Sequence, residues 1–116
     1  MSMGVLLNNL GALVTVLLGL LGLLLPARAA QFTGLEAQGA MGTSEIRATY
    51  GGFFLALGSY ALYCQTPAIF LAAAIAWLGA AGGRVFSMLV DRNLSARNSC
   101  AVVFEAAIGI VLLFPQ

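Results

Sequence analysis

The residues of this chain that could do chemistry are a few charged side chains placed beside or inside apolar runs. Glu45 and Arg47 stand in the stretch TSEIRATYGG, immediately before the apolar run FFLALGSYALY. Arg84 follows the run GAAGG, and Glu105 interrupts the apolar segment AVVFEAAIGIVLL. Charged groups in apolar surroundings need partners, so these residues either pair with one another or form a site for a ligand or a proton.

The rest of the composition indicates that this chain lies in a membrane. Of the 116 residues, 61% are hydrophobic and 8% are charged, whereas soluble domains carry roughly a quarter charged residues. A water-soluble fold of this length would leave much apolar surface exposed, because small domains bury only part of it. The net charge of +1 provides no basic surface for nucleic acid. We therefore predict an all-α integral membrane protein with a single domain, residues 1–116.

Four apolar stretches approach the length of about 20 residues that a transmembrane helix needs. They predict a four-helix transmembrane bundle with spans at about residues 3–25, 44–63, 67–90 and 96–114. Pro26 is expected to end the first span, and Pro67 is well placed to begin the third. Ser95 or Asn93 is expected to cap the fourth span.

The first span has a second interpretation. The sequence ARAAQ that follows it resembles a signal-peptidase site, and cleavage there would remove the helix. However, no basic residue precedes Arg28, and the apolar run is longer than that of a usual signal peptide. We therefore expect this helix to be retained.

Two asparagines, Asn8 and Asn9, lie near the outer end of the first span. Polar residues at helix ends cost little, so we interpret both as interfacial. A hydrogen bond from Asn8 to another helix is the alternative.

Arginine placement predicts how the spans are oriented. Arg28 lies in the predicted loop 26–43 and Arg92 in the predicted loop 91–95, whereas the second turn and both termini contain no arginine. Positively charged residues are enriched in cytoplasmic loops. Loops 26–43 and 91–95 are therefore predicted to face the cytoplasm, with both termini outside.

Arg84 and Glu105 are predicted to lie at the same depth in the membrane. Each lies about two helical turns, roughly 10–12 Å, from the loop that joins the third and fourth spans. This short loop makes the two spans antiparallel neighbours, so we expect an ion pair between Arg84 and Glu105. The pair is either a clasp that fixes the register of the two helices or part of a ligand or proton site.

Glu45 and Arg47 are not expected to pair with each other, because helical positions two apart point in different directions. Glu45 is placed to meet Arg84, and Arg47 is placed to meet Glu105 or a lipid phosphate. An alternative for Arg47 is simple extension of its side chain to the membrane surface. The remaining members of the predicted polar cluster, which is also the candidate ligand site, are Tyr50, Ser87 and Asp91.

Stripes of small residues predict close helix packing. Helices in lipid associate through van der Waals contact, which small side chains permit. The positions predicted to pack in this way are Gly51, Gly52, Ala56, Gly58, Ala80, Gly83 and Gly109.

Catalytic and metal-binding motifs are missing from the sequence. It contains no histidine, which is the commonest metal ligand and proton shuttle, and no nucleophile elbow, phosphate loop or dinucleotide fingerprint. Cys64 and Cys100 fit no metal or redox spacing. The sequence therefore predicts no metal site, identifies no cofactor and favours a protein that is not an enzyme.

One family resemblance rests on ordered polar positions along nearly the whole chain. The segments EIRATYGGFFLALG, GGRVFSMLVD and FEAAIGIVLL resemble the small bacterial membrane proteins grouped as domain of unknown function 4345. The resemblance implies a four-helix protein of the bacterial inner membrane whose activity is not established. The positions that carry it are Glu45, Arg47, Tyr50, Gly51, Gly52, Gly58, Arg84, Ser87, Asp91 and Glu105.

Three classes of function fit these features. The leading one is a non-catalytic accessory or scaffold subunit of a larger membrane complex, surrounded by membrane lipids and in contact with other subunits or with further copies of itself. The second is a binder or carrier of a lipid or other small apolar ligand, held by the intramembrane Glu/Arg cluster. The third is a membrane enzyme or proton-coupled transporter in which Glu45 or Glu105 titrates. The absence of catalytic motifs favours the first class.

Overall fold

Helices account for nearly the whole chain, and the all-α prediction is confirmed. The computed structural model describes residues 1–116, and no β-strand forms. The helical segments in chain order are α1 (Met3–Leu24), α2 (Pro26–Thr33), α3 (Gly39–Ile46), a π-helical segment (Arg47–Gly52), α4 (Phe53–Cys64), α5 (Pro67–Val90) and α6 (Ala96–Leu113).

The chain forms five helices, so the prediction of four was wrong. The segments α3, π and α4 follow one another without a break and make one helix from Gly39 to Cys64, and α2 is an additional helix. The region 26–43 is therefore largely helical and is not the loop that the sequence predicted. Three helices, α1, α5 and α6, are long and apolar enough to cross a membrane. The second predicted span, 44–63, is divided by the π-helical segment.

Local signals and burial together explain α2. Pro26 occupies its first turn, where the missing N–H of proline costs nothing. Gly34 ends the helix with φ +79°, the left-handed conformation that glycine adopts most easily. A helix of 8 residues is too short to be stable alone. It persists because Ala29 and Ala30 are buried against neighbouring segments.

The chain divides into two compact units: residues 12–64, here the α1–α4 unit, and residues 1–11 with 65–116, here the α5–α6 unit. In the α1–α4 unit, glycines bring α1 into backbone contact with the Gly39–Cys64 helix. A Cβ atom built on Gly51 would lie 2.7 Å from the nitrogen of Leu23, and one built on Gly58 would lie 2.9 Å from the carbonyl oxygen of Ala12. These distances leave no space for a side chain.

In the α5–α6 unit the two long helices are antiparallel neighbours. Arg84 meets Glu105 and Leu78 meets Gly109, so residue numbers rise along one helix as they fall along the other. Ser95 caps α6, since its Oγ accepts a hydrogen bond from the Asn98 N–H at 3.1 Å. Pro67 begins α5, as predicted. The buried hydrophobic side chains of the two helices are Phe70, Ala73, Ala74, Trp77, Ala81, Ile108 and Leu112.

We expect Gly22→Ala to lower the free energy of unfolding by about 1–3 kcal/mol, the usual cost of overpacking. A Cβ atom at Gly22 would collide with the backbone of Tyr50, so the two helices would have to separate. The change is measured by denaturant unfolding in detergent micelles.

Gly79→Ala is the matched control for this experiment. No atom lies within 4 Å of its Cβ position, and alanine favours a helix by about 1 kcal/mol over glycine. An equal loss of stability in both variants would contradict the proposed backbone contact.

Candidate functional site

The most complete polar site is built around Arg84 on α5. Its Nε donates to Oε1 of Glu105 on α6, so the ion pair predicted from matched depth is present. The side chains of Arg84 and Glu105 are 30% and 13% exposed. Both charges are therefore largely removed from solvent, and their mutual attraction offsets part of the cost of desolvation.

Asn98 is a third member of this site that the sequence reasoning missed. Nη1 of Arg84 donates to Oδ1 of Asn98 at 3.1 Å, and Nδ2 of Asn98 donates to the carbonyl of Asn93 at 3.2 Å. The signal for it was its position two helical turns before Glu105, on the same face of α6. We call Arg84, Asn98 and Glu105 the Arg84 cluster.

The hydrogen bonds of the Arg84 cluster are made within the chain. Nε and Nη1 of Arg84 are directed at Glu105 and Asn98 respectively, and no buried side-chain nitrogen or oxygen of the protein lacks a hydrogen-bond partner. Such an arrangement fixes the register of two antiparallel helices. No group of three or more His, Cys, Asp or Glu side chains could hold a metal ion.

Ser87 and Asp91, two further predicted members of the polar cluster, bond to each other. Oγ of Ser87 donates to Oδ2 of Asp91 at 2.7 Å. Asp91 is exposed and follows the last residue of α5. The two residues therefore make a local contact at the end of this helix.

Glu45 and Arg47 lie in the α1–α4 unit and point to different partners, as their spacing predicts. Oε1 of Glu45 accepts a hydrogen bond from Oγ1 of Thr49 at 3.0 Å. Nη1 of Arg47 donates to the carbonyl of Leu23, where the last carbonyls of α1 lack intrahelical donors. Arg47 therefore caps α1. The network that would join these charges to the Arg84 cluster stays a prediction.

Tyr50 lies in the π-helical segment and has an apolar environment. Its side chain packs against the buried group of Ala29, Ala30 and Ile46, and its ring centroid lies 6.0 Å from that of Phe54. The segment also contains Gly51 and Gly52, whose weak preference for the α-helix makes a π-helical pattern easier to adopt.

The small residues predicted to pack fall into two groups. Gly51, Gly58 and Gly109 are buried at close contacts. Gly52 is half-buried, and a Cβ built on it would lie 3.8 Å from the Arg47 carbonyl oxygen. The exposed group consists of Ala56, Ala80 and Gly83. Packing at these exposed positions stays a prediction that requires a helix from another molecule.

A second polar site caps the C-terminal end of α6. Nδ2 of the buried Asn8 donates to the carbonyls of Val111, Leu112 and Phe114 at 3.0, 3.0 and 3.1 Å. Oδ1 of Asn8 accepts from Nε2 of Gln116 at 2.9 Å. Unsatisfied carbonyls in apolar surroundings are costly. The bond from Asn8 to another helix, the alternative to an interfacial position, is therefore the one that forms.

Fold and site together define an all-helical protein with three helices able to cross a membrane and an ion pair between two of them. The chain belongs to the family described as a domain of unknown function, DUF4345, whose model matches residues 6–116. Comparisons with curated proteins and with solved structures found no match.

A double-mutant cycle tests the Arg84–Glu105 pair. Arg84→Gln or Glu105→Gln alone leaves one charge without its partner at low exposure. We therefore expect the summed losses of stability of the two single variants to exceed the loss in the double variant. We expect a coupling of about 0.5–3 kcal/mol, typical of residues in direct contact, from unfolding in micelles. Strict additivity would contradict a stabilising pair.

Asn8→Ala should lower the free energy of unfolding by about 1–3 kcal/mol, the usual cost of leaving buried polar groups unsatisfied. Asn9→Ala is the control: Asn9 and Gln65 exchange two hydrogen bonds in an exposed position, where water can replace them. Thermal unfolding of both variants in one detergent measures the difference. An equal or larger loss for Asn9→Ala would contradict the role of Asn8 as a cap.

Proposed function

We propose that the protein is a non-catalytic subunit of a larger assembly in the bacterial inner membrane, and that it holds a transmembrane helix of another subunit or of a second copy. The observation that carries this proposal is an exposed face of α5 made of small residues. We call this the small-residue face; its members are Ala72, Ala76, Gly79, Ala80 and Gly83.

The small-residue face is open along its glycines. No atom lies within 4 Å of a Cβ built on Gly79 or on Gly83. These two glycines are four residues apart, the spacing that lets a second helix approach backbone to backbone in lipid. The buried residues of α5 are others, namely Phe70, Ala73, Ala74, Trp77 and Ala81, so the small-residue face is not the surface by which α5 packs within its own chain.

The exposed face of α1 differs from the small-residue face of α5, and this difference supports the docking of a helix on α5. Its exposed residues include Leu13, Leu17 and Leu20, the large side chains typical of a surface in contact with lipid. A bilayer does not require glycine and alanine at exposed positions, whereas helix association does. The small-residue face therefore fits a helix better than it fits acyl chains.

The proposed arrangement in the membrane has four crossings: α1, the Gly39–Cys64 helix, α5 and α6. The length and apolarity of three of these helices support it, as do the glycine contacts between α1 and the Gly39–Cys64 helix. Arg28 and Arg92 favour a cytoplasmic position for the segments 26–43 and 91–95, with both termini outside.

A binder or carrier of a lipid or other small apolar ligand is the second candidate. It is supported by the partial exposure of the Arg84 side chain, 30%, because a headgroup could approach a charged side chain that is not fully buried. The pairing of Glu105 with Arg84 gives less support to an enzyme or a proton-coupled transporter built on Glu105, which would use an intramembrane carboxylate without an internal partner.

Leucine placed on the small-residue face should abolish assembly. We expect Gly79→Leu and Gly83→Leu to be folded but isolated as single chains after extraction in mild detergent. The unaltered protein should co-purify with partner subunits or with a second copy in a fixed ratio. Native mass spectrometry of the purified material measures that ratio.

The matched control is Ala107→Leu, which adds the same kind of bulk at an exposed alanine of α6. It should leave the assembly intact. The proposal is wrong if the unaltered protein is a lone monomer in both mild detergent and lipid nanodiscs, or if all three leucine variants assemble normally.

A further inference from the structure

The position of α2 is fixed by its contact with the end of α1. The buried residues Ala29 and Ala30 lie with Ile46, and Leu21 and Tyr50 pack against this group. Leu21 belongs to the last turn of α1. Because α2 is anchored to that turn, it cannot extend away from the end of the helix.

The length of α1 sets the depth at which α2 lies. At about 1.5 Å per residue its 22 residues span about 33 Å, close to the hydrocarbon thickness of about 30 Å. A crossing by α1 therefore puts Leu24 at the boundary between acyl chains and headgroups, and α2 begins two residues later. This depth rests on the membrane placement proposed above.

The segment that follows α1 exposes large apolar side chains alongside polar ones such as Glu36. Phe32 is 77% exposed and Met41 is 80% exposed, and Leu25 and Leu35 are also exposed. Along the chain they follow the exposed leucines of α1, the last of which is Leu24. Large apolar side chains exposed together in this way normally have a partner.

The exposed part of α2 has two distinct flanks. Arg28 and Phe32 are four residues apart and share one flank, and Ala27 and Gln31 share the other. Ala29 and Ala30 face the protein. Phe32 and Arg28 are residue types found at membrane surfaces, where an aromatic ring can enter the acyl chains while a neighbouring arginine extends to the phosphates.

We infer that residues 24–41 form a phospholipid-docking surface. Its helix α2 lies in the headgroup region, with the Phe32 side chain among the acyl chains. Arg28 lies at the level of the phosphates, where its guanidinium can donate paired hydrogen bonds to phosphate oxygens. Gln31 faces the water. The surface anchors the end of α1 to one leaflet and fixes the height of the protein in the bilayer.

Spin labels at adjacent residues test this inference in the full chain. Cys64→Ser and Cys100→Ser remove the two free cysteines, and single cysteines are then introduced by Phe32→Cys, Gln31→Cys and Leu13→Cys. Each variant is reconstituted alone in phosphatidylcholine–phosphatidylglycerol vesicles. Collision with oxygen, which concentrates in lipid, is compared with collision with a water-soluble nickel chelate.

We expect the oxygen-to-nickel ratio at position 32 to exceed that at position 31 severalfold and to approach that at position 13. Position 13 is an exposed site near the middle of α1 and reports on membrane insertion itself. A low ratio at position 32 with a high ratio at position 13 would overturn the docking surface and leave the membrane placement intact.

Two further outcomes would overturn the inference for different reasons. Protection of position 32 from both probes would show that protein, such as a second copy, covers the surface instead of phospholipid. A low ratio at position 13 would show that α1 does not cross the bilayer, so the membrane placement would fail together with the docking surface.

Discussion

The requirement that polar groups in apolar surroundings find partners within the protein governs much of this structure. The Arg84–Glu105 pair is its strongest case, because either charge alone at low exposure would be costly. The same requirement accounts for Asn8, which satisfies the last carbonyls of α6, and for Arg47, which satisfies a carbonyl at the end of α1. In each case a side chain makes the hydrogen bond that water would make to the same polar group in a water-soluble protein.

Small residues serve two different purposes in this protein. Gly51 and Gly58 allow α1 and the Gly39–Cys64 helix to touch through their backbones, and any side chain there would separate them. Gly79 and Gly83 have open space around them. The first pair holds the chain together, and the second leaves a surface that a helix from outside can use. This division is the physical basis for proposing a subunit rather than an enzyme.

The segment between α1 and the Gly39–Cys64 helix carries more structure than a connection needs. Its helix α2 is anchored by Ala29 and Ala30 and exposes Phe32 and Arg28 on one flank. A protein that holds a partner helix must keep that helix at a defined depth, and an anchor in the headgroup region supplies such a reference. The proposed helix docking on the small-residue face and the inferred lipid-docking surface would therefore suit one role, the positioning of another membrane component.

The sequence by itself determined the helical class, the breaks near Pro26 and Pro67, and the pairing of Arg84 with Glu105 on adjacent helices. These follow from composition, from the geometry of proline and from the constant rise of a helix, all of which act along the chain. Only the tertiary structure decided that α2 forms, that Asn98 joins the Arg84 cluster, and which face of α5 is buried. A helical repeat gives the spacing of residues along a helix, but not the rotation of the helix about its axis, which decides the face that meets its neighbours. An eight-residue helix depends on burial that no local pattern encodes.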